Sequence, residues 1–507
     1  MVSLRRAPNT AVAIASFFVP SAAAQGPRPS PASIALAVDS LAQRVVASGL
    51  TPGLGVAVVI DGKTILAKSY GMADASRQVS ANDKTLWYIA STSKSYTGVA
   101  ISLLATAGVV RFDEPIAGLL PRARWHRDVD PTRITLAQFL SHTHHVNDLA
   151  VTFSAAFTGA IPERQWPELI RFAAPTGDLD LRYSNFGYNV AAMVIDAKRP
   201  EGWRAYVENA VLRPAALTET YMRVSGIDRS RFALSHEMLA DGRFASTPFL
   251  KTDVTMNSAG GHLATMHDLA RWTAVQMDGG VVDGKRVFPA EAIVLSHRQI
   301  APQTVASAKR FAEFDRDGWG AGWDIGRYRG EPMVSRFGGY ASIRSHLSFL
   351  PRRRIGVVAQ ANGQPGGAAT DIIAELAYDL EAGRADARDG AERRFQELVS
   401  QLPTRRAQIA SSDSVRAARQ RPLDKPLTAF VGSYVSDAFG AFVVAAGDTG
   451  LRYTWGALSG QLEVFDAAKR QFRIDVGGQG TTLSFAAGET GEMNSLSLAG
   501  ATFVRTR

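Results

Sequence analysis

Two hairpin signals, set far apart in the chain, constrain this sequence more than any other feature. The first is Gly53 to Ile60 (GLGVAVVI), an Asp61-Gly62-Lys63 turn, and Thr64 to Tyr70. The second is Ile343 to Leu350, a turn at Pro351 to Arg354, and Ile355 to Ala361. Runs rich in β-branched residues around an Asp-Gly turn mark antiparallel strands. Between them lie stretches with helical spacing: Thr92 to Thr106, Thr135 to Leu140, Phe186 to Ala197 and Met266 to Met277. Further helices are expected at Ile34 to Ser48 and near Thr370 to Ala382. Strands at both ends with helices between imply an α+β fold, an antiparallel sheet flanked by helices with a helical subdomain.

The remainder of the 507 residues changes texture twice. Gly383 to Arg421 is rich in Arg, Ala, Glu and Gln and reads as a helical linker, placed at 383–426. From Leu427 onward, short runs separated by Gly, Asp and Asn (Ala441 to Ala446, Leu451 to Trp455, Gln461 to Phe465, Gln471 to Val476, Thr481 to Phe485, Ser495 to Leu498, Thr502 to Val504) predict a small all-β barrel over 427–507. At the other end, Arg5-Arg6, the apolar run Ala11 to Val19 and Ala22-Ala23-Ala24 have the order of an export signal over residues 1–24. The run falls short of the roughly 20 residues of a spanning helix, so cleavage and a periplasmic or secreted product are expected, with no transmembrane segment afterwards.

Composition narrows the chemistry. With no cysteine, disulfide scaffolds, Cys-ligated metal sites and thiol nucleophiles are excluded. A net charge of +9 invites a nucleic-acid reading. Yet the densest run, Arg352-Arg353-Arg354, sits in the turn after Pro351 without interleaved aromatics, so no nucleic-acid partner is expected. Gly-x-Ser-x-Gly does not occur, and His236-Glu237 is not followed by the second histidine of a zinc helix.

One spacing stands out: Ser91-Thr92-Ser93-Lys94, opening an apolar helix. Three residues apart, a serine and a lysine share a helix face, and the Ser91 N–H at the helix start is left to face an oxyanion. Alone, the tetrapeptide more often marks a capping serine and a solvated lysine. Its context favours chemistry, because a lysine running into so apolar a helix is partly buried, which lowers its pKa. Two further pieces follow in order: Tyr183-Ser184-Asn185 ahead of a helix, and Arg336-Phe337-Gly338-Gly339 at a strand edge.

These three pieces in this order resemble the serine β-lactamase and penicillin-binding-protein superfamily. The nearest branch is that of class C β-lactamases with their esterase, D-aminopeptidase and DD-peptidase relatives. Arg111 to Pro115, the Thr135 to Thr143 segment and Ser258-Ala259-Gly260-Gly261 add to the likeness, which spans about Ser33 to Ala382. The hydrolase domain is accordingly set at 33–382, and the tail looks like the lipocalin-like domain often appended to such hydrolases.

The resemblance implies an acyl-enzyme on Ser91, with Lys94 and Tyr183 sharing proton transfer and either serving as the base. It implies Asn185, Arg336 and Gly338 as substrate-binding residues, and an oxyanion hole from the N–H groups of Ser91 and Gly339. No metal or organic cofactor is implied.

Two departures shape the expected substrate. Arg336 stands where the family usually has Lys or His, and offers a fork for a substrate carboxylate. Phe337 replaces a small or hydroxyl residue that helps seat the carboxylate of a β-lactam. The expectation is therefore an exported esterase or peptidase/amidase acting on a small molecule or short peptide, including D-amino-acid or peptidoglycan-derived peptides. A β-lactamase or DD-carboxypeptidase proper is the alternative, and a catalytically silent penicillin-binding sensor is another. His142-Thr143-His144-His145, where relatives commonly read His-Thr-Ser-Gly, is read as a loop bordering the cleft rather than a metal site. Trp319, Trp323 and Tyr340 are candidates for the cleft wall, with core packing the commoner role. Oligomeric state is left open.

Overall fold

A computed structural model of the chain describes residues 28–506 apart from 148–151, 153, 160, 177–182, 248–250, 304–313, 420–422, 449, 477–478 and 490. The export signal expected over 1–24 lies outside the described residues.

Ser30 accepts from the Ser33 N–H and caps the first helix, Pro31–Ala47, with proline in its first turn. Ile34, Val38, Leu41, Ala42 and Val45 form its buried stripe. The first hairpin turns on Asp61 and Gly62, both at positive φ (51° and 76°), the backbone that a two-residue hairpin loop of this hand requires. Strand Gly53–Ile60 is buried along its whole length. It pairs with Lys63–Asp74 on one side and with Ile355–Ala361 of the second hairpin on the other, in register Leu54↔Ala361 to Ile60↔Ile355. The two distant hairpin signals thus meet at the centre of one sheet.

Ten of the described strands belong to that sheet. Beyond Ile343–Leu350 it continues through Glu331–Ser335, Asp324–Tyr328 and Phe314–Trp319. Side chains alternate between its faces. Val56, Val58 and Ile60 join the first helix and helix Gly367–Glu381, whereas Ala57 and Val59 join helices Lys94–Thr106 and Met266–Met277. The α+β layout is what the structure has.

The three strands between Phe314 and Ser335 carried no apolar alternation in the sequence. Two of their buried positions are Arg316 and Asp324, which pair with each other, so charge occupies places where hydrophobic residues would have marked a strand. Gly383 to Arg421 contains two helices, Ala387–Ser400 and Leu402–Ala417, tied back to the first helix by a two-pronged Arg44–Glu392 bridge at 2.7 Å.

The tail is a closed eight-stranded barrel. Seven strands coincide with the sequence runs. The eighth, Gly432–Ser436, closes the cylinder by pairing with both Gly440–Gly447 and Ala501–Arg505. Its sequence, GSYVS, has only Tyr434 fully buried, too weak a pattern to be seen. Eight strands enclose a space that side chains can fill. Here Phe430, Phe442, Trp455, Phe472, Phe485 and Phe503 do so, with ring centroids 5.1–6.1 Å apart in contacts such as Phe430–Phe472 and Phe442–Phe503. Among the described residues, no helix is long and apolar enough to cross a membrane.

Candidate active site

Ser91 sits on a single 3-10 turn, Ala90–Ser93, that runs into helix Lys94–Thr106. The residue before it, Ala90, is held at φ 46°, a conformation that L-residues with a Cβ adopt only when their surroundings enforce it. This turn faces strand Gly338–Tyr340. A side chain on Gly338 would put its Cβ 2.5 Å from the Ile89 carbonyl and 3.1 Å from the Ser91 nitrogen, so only glycine permits the approach.

Lys94 is fully buried, and its Nζ lies 3.2 Å from Ser91 Oγ. It donates to Asn185 Oδ1 at 2.7 Å and to the Ala259 carbonyl at 2.5 Å. Burial, reinforced by the nearby Arg336 charge and opposed by Asp324, holds its pKa well below that of an ordinary lysine. Asn185 opens helix Phe186–Lys198 without capping it. Ser184 Oγ accepts from the Phe186 N–H instead, at 3.1 Å, and the Asn185 amide is left to serve Lys94.

Tyr183 is 45% exposed and donates its phenol to Ser91 Oγ across 2.6 Å. Behind it, Arg336 Nη2 donates to the Tyr183 oxygen at 2.9 Å while Nε donates to the Ser91 carbonyl at 3.2 Å. The guanidinium is 1% exposed and has Asp324 3.7 Å from Nη1. Thr92 donates to the Arg336 carbonyl at 3.1 Å and ties the strand to the nucleophile turn.

The structure therefore brings Ser91, Lys94, Tyr183, Asn185, Arg336 and Gly338 into one cluster, with Gly339 next along the same strand. It changes the place of two residues. Arg336 is not an open fork for a carboxylate, because its donors point inward to Ser91 and Tyr183 and its charge faces Asp324. Phe337, between strands Glu331–Ser335 and Gly338–Tyr340, packs edge-on to His346 at 4.8 Å and Phe314 at 6.2 Å.

Sequence reasoning missed Asp324, the acidic counterweight to Arg336, which sits in an unrecognised strand. The Ala259 carbonyl was signalled only through Ser258-Ala259-Gly260-Gly261. The histidines of the 142–145 segment part ways. His142 packs on Tyr183 at 4.6 Å, and His144 stacks on Phe139 at 4.8 Å. The His145 carbonyl accepts from the Thr176 N–H. Trp319 borders the site, 6.0 Å from the Tyr183 ring, while Trp323 and Tyr340 are packed among aromatic neighbours.

Known proteins share the sequence and the fold of this chain. Residues 38–380 match the Beta-lactamase family. Protein flp of Staphylococcus aureus (strain COL) is 22% identical over 332 residues, 64% of this chain; the chain spans 62% of that protein's length. Penicillin-binding protein 4 of Amycolatopsis lactamdurans is 26% identical over 342 residues, covering 65% of this chain and 84% of that one. The fold is shared with D-amino acid amidase from Ochrobactrum anthropi SV3, solved with L-phenylalanine amide, at a TM-score of 0.55 and 18% identity over 73% of this chain and 99% of the other. By the length of the family match, the chain belongs to the Beta-lactamase family, within the superfamily of serine β-lactamases and penicillin-binding proteins.

Proposed function

We propose that the chain is an exported serine hydrolase of the class C β-lactamase-like branch, working through an acyl-enzyme on small amide or ester substrates. The observation that carries this reading is the linked set Lys94–Ser91–Tyr183–Arg336. Two acceptors, Asn185 Oδ1 and the Ala259 carbonyl, take two N–H groups of Lys94. In the neutral amine favoured by burial, the lone pair then faces the Ser91 hydroxyl. Ser91 Oγ attacks the substrate carbonyl and its proton passes to Lys94 Nζ. Tyr183 gives its proton to the leaving nitrogen or oxygen as the C–N or C–O bond breaks, and the Arg336 charge stabilises the phenolate left behind. For deacylation, Tyr183 recovers a proton from water, the hydroxide attacks the acyl carbon, and Lys94 returns its proton to Ser91. The N–H groups of Ser91 and Gly339 hold the oxyanion, and Asn185 Nδ2 orients the acyl side.

Arg336 is committed inward and Phe337 faces its aromatic neighbours, so neither offers a seat to the carboxylate of a β-lactam. This favours an esterase or amidase, including one for D-amino-acid peptides, over a β-lactamase. A screen of the purified protein against short-chain nitrophenyl esters, D- and L-aminoacyl amides and nitrocefin tests the reading. Turnover of esters or amides at rates well above nitrocefin is expected, and turnover of nitrocefin alone would overturn it.

A further inference from the structure

We infer that His142 is a positioning residue for Tyr183, kept at a backbone site where glycine would cost less because its ring fixes the tyrosine against Ser91. The inference rests on the acyl-enzyme reading above and adds a residue to it.

The backbone supplies the first observation. Helix Leu136–Leu140 ends with the Thr143 N–H on the Gln138 carbonyl at 2.8 Å and the Ser141 N–H on the Ala137 carbonyl at 2.9 Å. A bond that spans six residues in this way closes a Schellman motif, and the residue in its left-handed position is ordinarily glycine. Here that residue is His142, at φ 62°. A Cβ there is strained, and glycine would relieve it.

The side chain supplies the second. The imidazole is 2% exposed and packs against three aromatic rings, 4.6 Å from Tyr183, 4.6 Å, edge-on, from Trp319 and 5.6 Å from Tyr188. Its Nδ1 accepts from the Ser184 N–H at 3.2 Å. The ring therefore holds both the face of the Tyr183 phenol and the backbone of the next residue. Tyr183 itself is nearly half exposed; Ser91 and Arg336 hold its oxygen, and the Lys94 Nζ and the Arg336 guanidinium lie over its ring at 4.9 and 5.3 Å. Without the imidazole, the phenol loses the nearer of its two aromatic neighbours and can tilt about its oxygen, and displacement by about 1 Å costs on the order of 100-fold in rate.

The imidazole also suits its place electrically. Burial, then the nearby Arg336 and Lys94, hold its pKa well below that of an ordinary histidine, which favours the neutral ring. A neutral ring adds no further cation beside Arg336 and the Lys94 that takes up the Ser91 proton during acylation.

The test compares H142G, H142A and H142N by single-turnover acylation with a nitrophenyl ester or fluorophosphonate, steady-state kinetics and thermal melting. H142G, freed of strain, should lose about 100-fold in acylation rate and in kcat with KM little changed. H142A should behave alike and stands in if the glycine variant does not fold. Asparagine tolerates the left-handed backbone and keeps an acceptor for Ser184 but brings no ring, so H142N should stay within about threefold of H142G. Acylation of folded H142G or H142A within about threefold of the parent overturns the inference, as does an H142N within about threefold of the parent. Absence of a Ser91 adduct in the parent protein would instead overturn the acyl-enzyme reading, so the two failures are distinguishable.

Discussion

Arg336 and Tyr183 share a 2.9 Å hydrogen bond whose donor keeps its charge at every working pH. A lysine or histidine at that position would be open to titration. R336M removes both the donor to the phenol and the Nε contact to the Ser91 carbonyl, and acylation should fall on the order of 100-fold or more. R336K restores charge without the planar fork and should fall between the two. Stopped-flow acylation of the three proteins at one pH makes the comparison.

The phenol itself is separable from stability. Tyr183 is 45% exposed, so Y183F should melt within a degree or two of the parent. Its acylation rate should nevertheless fall steeply, by about 100-fold or more. Near-normal ester hydrolysis in a folded Y183F would remove the tyrosine from proton transfer.

Lys94 should leave its mark on stability as well as on rate. Its pKa is lowered in the folded state, chiefly by burial and then by Arg336, so the unfolded chain binds more protons. Stability from this group therefore falls as pH drops from the ordinary lysine value toward the lowered one, and is constant below it. K94M removes that titration. The variant should be inactive, melt higher than the parent at neutral pH, and lose the rise in melting temperature between neutral and alkaline pH. The parent's acylation rate should decline on the acid side as Lys94 takes up its proton. Melting curves across pH, paired with a pH–rate profile, check both signs.

Gly338 tests the approach of the edge strand to the nucleophile turn. A methyl there meets the Ile89 carbonyl at 2.5 Å, and the strand or the turn must give way beside the Ser91 N–H. G338A should lower kcat by about 100-fold with a smaller change in substrate affinity, read by steady-state kinetics.

Much of this was legible because the chemistry is written in short local spacings. Ser91 and Lys94 are three residues apart, Tyr183 and Asn185 two apart, and each piece opens a helix whose apolar run is plain. The central hairpins were visible for the same reason: Gly53–Ile60 and Ile355–Ala361 are buried on both faces and almost wholly apolar. What escaped was set by tertiary context. Asp324 and Arg316 are buried charges that pair with each other, and Asp324 also faces Arg336 and accepts from Gln303, which makes their strands tolerable. The inward turn of Arg336 follows from Asp324, which no spacing links to it. Strand Gly432–Ser436 exists because two neighbours lack a partner until it closes the barrel.

The barrel should respond to a lost aromatic as a core does. Phe503 is fully buried against Phe442 and Trp455. F503A should cost about 3–5 kcal/mol of stability, followed by denaturant unfolding. Single-turnover acylation of the protein that remains folded should be unchanged.

Intact-mass analysis after brief exposure to a fluorophosphonate, followed by peptide mapping, tests the central claim most directly. The account predicts one adduct, on Ser91, formed by the parent and absent from S91A. An adduct on any other residue, or ester turnover by S91A at the parent rate, would contradict it.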